Sequence, residues 1–119
     1  MKRSLIFLCL LALVAVGAQL SAGDYGTWRG EVVDLACYVG SGAQGPDHAG
    51  CAKSCVKNGQ PMGLLTDDGT LVLLSADHKD EAPYNALKDL AGDKAEVSGE
   101  LAERDGMKVV KVTGAKAAG

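Results

Sequence analysis

The sequence predicts a small, mainly β domain of the α+β class: a five-stranded barrel with two short helices, one of which carries cysteines and is inserted between strands 1 and 2. Three observations predict it. A β-branched and aromatic run opens the domain, two pairs of short apolar runs each meet at an Asp-Gly turn, and two segments are bounded by helix start and stop residues.

Residues 1–22 read as a cleavable signal peptide. Lys2 and Arg3 form a basic start, Leu5 to Val16 an apolar run too short to span a bilayer, and small residues offer cleavage after Ala18 or Ala22. Cys9 lies within the apolar run. Leu8 before it departs from the small residue that lipid attachment needs, so Cys9 is expected to leave with the signal.

The domain is expected over residues 23–113. Residues 26–35, Gly-Thr-Trp-Arg-Gly-Glu-Val-Val-Asp-Leu, form strand 1. Gly40 to Pro46 form a glycine-rich loop. Asp47 is the expected N-cap of the inserted helix and Asn58-Gly59 its stop; Gly50 weakens it, so packing or ligation must hold it. Pro61 to Thr66 and Thr70 to Ser75 flank Asp67-Asp68-Gly69 as a hairpin. Pro83 to Leu90 carries Tyr84, Leu87 and Leu90 at helical spacing, with Gly92 as its stop. Ala95, Val97, Gly99 and Leu101 alternate along strand 4, which turns at Arg104-Asp105-Gly106 and returns through Met107 to Val112. Residues 114–119 are expected to be a flexible, fraying tail.

This order of strand, helix, hairpin, helix and hairpin resembles the OB-fold, a five-stranded Greek-key barrel, over roughly residues 26–113. Cys37-Tyr38, the His48-x2-Cys51-Ala-x2-Cys55 run and Gly59-x-Pro61-x-Gly63-Leu-Leu also resemble a group of small exported bacterial domains. That resemblance implies export and an OB-like barrel, and carries no activity with it.

Signal removal takes away two of the twelve basic residues and none of the fifteen acidic ones, leaving a net charge of −5. An acidic domain without a basic cluster is unsuited to nucleic acid, which needs Lys and Arg against its phosphates. No second long apolar segment follows, so no stable membrane insertion is expected after cleavage. The expected location is periplasmic or extracellular, with a protein or small ligand of unspecified identity as partner.

Any chemistry is concentrated in Cys37, His48, Cys51 and Cys55. On a helix, positions 48, 51 and 55 span an arc of about 60°. Cys37, at the exit of strand 1, reaches that face if the glycine-rich loop folds back. Three thiolates and an imidazole make a tetrahedral zinc shell, structural because it leaves no open position; the thiolates also suit Cu(I), which would make a carrier or sensor. Export keeps two further readings open. Cys37 pairs with Cys51 or Cys55 in a structural disulfide, giving a ligand- or protein-binding module with one leftover thiol, or the cysteines form a thiol-redox centre. The Cys-x-x-Cys of thioredoxin-type centres and the Cys-x-x-Cys-His of haem attachment are absent from the sequence. His48 stands three residues before Cys51, within reach as a base, yet no orienting carboxylate or oxyanion hole is marked, so an enzyme is not expected. His78 reads as a solvated loop residue, Asp67 and Asp68 as turn formers, Trp28 and Tyr38 as packing residues, and Met62 and Met107 as core fillers.

Overall fold

A computed structural model of the chain describes residues 23–119; the signal-peptide reading and Cys9 lie outside them. The expected barrel is present. Strands β1 (Asp24–Asp34), β2 (Met62–Thr66), β3 (Leu71–Ala76), β4 (Lys94–Arg104) and β5 (Met107–Ala117) close in the order β1-β2-β3-β5-β4. All neighbouring pairs are antiparallel except β3 with β5, which run parallel from Leu73↔Val109 to Ala76↔Val112. This is an OB-like mixed barrel.

Closure depends on β1 serving two neighbours. Its first part pairs with β4 from Asp24 to Glu31, and its last part pairs with β2 from Gly30 to Asp34. Gly30 is the handover, matched to both Ala95 and Thr66, and a Cβ there would stand 2.2 Å from the Leu65 carbonyl oxygen. Only a residue without a side chain lets the strands approach this closely.

Alternation fills the barrel as expected: Val32, Met62, Leu64, Val72, Leu74, Ala95, Val97, Val110 and Val112 are buried together. Met107 departs from expectation. It is 59% exposed at the β4–β5 turn, because Asp105 and Gly106 take left-handed backbone angles there and carry the chain beyond the core.

Three α-helices complete the domain, one more than expected. Helix α1 (Leu35–Ser41) follows β1 directly, helix α2 (Ala49–Lys57) is the inserted cysteine-bearing helix, and α3 (Ala82–Leu87) continues as a 3-10 turn through Leu90. Ala52 and Val56 carry α2 into the core, and α2 packs on β1 and the 3-10 turn Lys88–Leu90. Lys53–Asp93 at 2.8 Å and Lys57–Asp89 at 2.7 Å tie its outer side to the same segment. Among the described residues no helix is long and apolar enough to cross a membrane.

The expected fraying tail is corrected. Residues 114–117 belong to β5 and pair with β4 from Ser98↔Gly114 to Ala95↔Ala117. Beyond them the Ala118 N–H donates to Lys94, and Arg29 donates to the Ala118 carbonyl at 2.8 Å. Their low strand propensity is overridden by a partner strand already in place.

Candidate metal centre

Asp34 ends β1 and starts α1. Its Oδ1 accepts hydrogen bonds from the Ala36 N–H at 2.9 Å and the Cys37 N–H at 3.5 Å, the pattern of a helix N-cap. Gly42, with φ 73°, ends the helix by donating to Tyr38. Cys37 therefore sits in the first turn of α1 and not in an extended strand exit. Side chains on a helix lean toward its N-terminus, which brings the Cys37 thiol back over Asp34.

His48 arrives by a different route. The expected N-cap at Asp47 is not formed: Pro46–His48 make a 3-10 turn, α2 starts at Ala49, and no side chain caps it. The loop before this turn is gripped by Glu31, whose two carboxylate oxygens accept from the Gly45 N–H at 3.1 and 2.9 Å. The turn after it is held by Gly92, packed against Ala49. His48 thus precedes α2 instead of sharing one regular helical face with Cys51 and Cys55.

These two routes converge. One ligand atom each from Asp34, Cys37 and His48 lie within 4.8 Å of one another. Cys55, half-buried on α2, faces Asp34, Cys37 and Cys51. Cys51 is exposed, near both Cys55 and Cys37. Of the four residues singled out from the sequence, the structure brings Cys37 and His48 into one triad, sets Cys55 beside it and leaves Cys51 outermost; all three cysteines are free thiols. His78 is exposed, as expected of a loop residue. Asp34 is the participant the sequence reading passed over, although its place just ahead of Leu-Ala-Cys is an N-cap signature.

Two atoms in this cluster lack partners. Asp34 is 1% exposed, and its Oδ2 is buried without a hydrogen bond; the His48 Nε2 is likewise buried and unpaired. They are the buried side-chain polar atoms without partners among the described residues. Each such group costs about 1–3 kcal/mol, more for a charged one, unless something satisfies it.

The surroundings of Cys37 and Cys55 favour their protonated thiol forms. The Asp34 carboxylate beside Cys37, with burial, raises that thiol above its ordinary value. Burial, with Asp34 and the Cys51 thiol adding to it, pushes Cys55 from 9.0 up to about 11. A folded-state value above the unfolded one stabilises the fold below the unfolded value and withdraws that stabilisation as pH rises through the folded one. Metal-free protein is therefore expected to lose stability as pH climbs from about 9 to about 11. Denaturant midpoints across that range check it, with thiolate absorbance reporting the ionisation. Protonated thiols are also poor nucleophiles at neutral pH, unlike the depressed thiols of redox centres.

Comparison of the chain with protein-family models, curated proteins and solved structures gives no match.

Proposed function

We propose that this chain is an exported, non-enzymatic OB-like domain that binds one soft or borderline metal ion through Cys37, His48 and Cys55, with Asp34 completing the set. The observation that carries the reading is the pair of buried, unpartnered atoms, Asp34 Oδ2 and His48 Nε2, in the same cluster as the Cys37 thiol. A metal ion supplies both with a partner at once. Bonds of about 2.0–2.3 Å in a tetrahedron separate ligand atoms by roughly 3.3–3.8 Å. With the triad's ligand atoms within 4.8 Å of one another, a contraction of at most about 1.5 Å brings them to that spacing.

A Cys37–Cys55 disulfide supports the domain less well, because it would leave both orphaned atoms as they are. Cys51 and Cys55 stand four apart on α2, where disulfide geometry demands distortion. The raised thiols speak against redox catalysis for the reason given above. Export rests on Lys2, Arg3 and the apolar run that follows them.

The test is titration of the reduced protein with Zn2+ and Cu(I) against a chromophoric chelator. Saturation at about one ion per chain is expected for at least one of the two metals, with two protons released per ion if both thiols ligate. Failure of both metals to compete with a weak chelator would sink the reading.

A further inference from the structure

We propose that the seat is built for a four-coordinate divalent ion of the zinc type, held by Asp34, Cys37, His48 and Cys55, and that Asp34 sets the preference for it over Cu(I). This rests on the metal-binding reading above and gives the metal its class. The two buried orphans decide between the ions. Cu(I) is content with two thiolates, so on Cys37 and Cys55 it would leave Asp34 Oδ2 and His48 Nε2 as unpartnered as before. A four-coordinate divalent ion engages both, alongside the two sulfurs.

Charge points the same way. Two thiolates and the Asp34 carboxylate carry three negative charges. A divalent ion reduces this to one, whereas Cu(I) leaves two, one of them on a carboxylate that is 1% exposed. Uncompensated charge in so buried a place is heavily penalised. Calcium and magnesium are excluded by the sulfur ligands, which suit softer ions.

Asp34 is also held by the backbone next to the seat. Its Oδ1 is occupied as the N-cap of α1, which fixes the carboxylate and leaves Oδ2 as a single, oriented donor. As the ion binds, one metal–oxygen, one metal–nitrogen and two metal–sulfur bonds form, and the thiol protons of Cys37 and Cys55 pass to solvent. Cys51, exposed and outside the triad, contributes no bond in this arrangement.

Asp34→Asn separates the two roles of the residue, because asparagine caps helices as well as aspartate does while losing the anionic donor. The wild type, Asp34→Asn and Cys51→Ser are titrated with Zn2+ and, anaerobically, with Cu(I), and the metal-free variants are melted to verify folding. Asp34→Asn is expected to weaken Zn2+ on the order of 100-fold and to change Cu(I) by less than about threefold. It should also shift the ligand-field bands of the Co2+-substituted protein. Cys51→Ser is expected to leave both affinities and the Co2+ bands in place. Equal losses for the two metals in Asp34→Asn, or no loss of Zn2+, overturn the preference while the metal-binding reading stands. A wild type that binds neither metal overturns both.

Discussion

Saturating Zn2+ is expected to raise the unfolding free energy of the reduced protein by about 4 kcal/mol when free metal stands roughly 1,000-fold above the dissociation constant, and Cys37→Ser is expected to abolish that gain. For a domain of this size the corresponding rise in Tm is on the order of 20 °C. The unfolded chain keeps its own cysteines and some affinity for the metal, which trims the figure. Cys37 is the sensitive position because it alone among the cysteines belongs to the triad with Asp34 and His48. Serine keeps the first turn of α1 intact but offers a neutral hydroxyl in place of a soft thiolate. Cys51→Ser, altering an exposed thiol at the margin, should retain most of the gain. Scanning calorimetry of the three proteins with and without metal makes the comparison.

The second large effect is expected at a residue that is not itself a ligand. Gly92 has a φ of 84°, and a Cβ placed on it would lie 2.4 Å from the Ala49 Cα and 2.5 Å from the Ala49 Cβ. Those atoms are fixed to the start of α2 and cannot swing aside. Gly92→Ala thus combines left-handed strain of about 1–2 kcal/mol with a forced displacement of the helix, for a total destabilisation on the order of 3 kcal/mol. Ala49 follows His48 directly, so the same displacement moves the imidazole and should weaken metal binding as well. Urea unfolding of the metal-free variant measures the first effect, and chelator competition measures the second. A large loss of stability with undiminished affinity would show that the position of His48 does not govern the seat.

The parts of the fold that could be read from the sequence are those encoded locally. Asp67-Asp68-Gly69 and Arg104-Asp105-Gly106 announce their turns through residues that tolerate left-handed angles, and Ala95, Val97 and Gly99 alternate inward along β4. They give the two hairpins; the β1–β4 and β3–β5 pairings that close the barrel are non-local. Apart from its N-cap, helix α1 has no clear local signature, because Val32-Val33-Asp34-Leu35 continues the strand pattern and Gly40 and Gly42 resemble a loop. Asp34 was in fact the boundary. The last strand was cut short at Val112 because Gly114 to Ala117 have little intrinsic preference for extension; β4 supplies what the residues lack.

The candidate site was legible in its membership and less so in its geometry. A dense group of sulfur and imidazole ligands is visible in any chain, so Cys37, His48 and Cys55 stood out. Helical phasing gives Cys51 a place equal to that of Cys55 only if one regular helix runs from His48 onward. The 3-10 turn Pro46–His48 changes the approach of the imidazole, and Cys51 is exposed on α2. Asp34 carries no such mark in the sequence. Its burial arises only when α1 and α2 close over the end of β1, a tertiary outcome, and burial is what turns an ordinary N-cap into a candidate ligand.

Elemental analysis with thiol counting, on protein recovered from the cell envelope or medium without reductant, tests the metal seat most directly. A seat formed by Asp34, Cys37, His48 and Cys55 requires about one metal ion per chain, with Cys37, Cys51 and Cys55 all open to alkylation once the ion is chelated and the chain denatured. Metal-free protein whose mass is lowered by one disulfide, with a single one of these thiols left to alkylate, would contradict it.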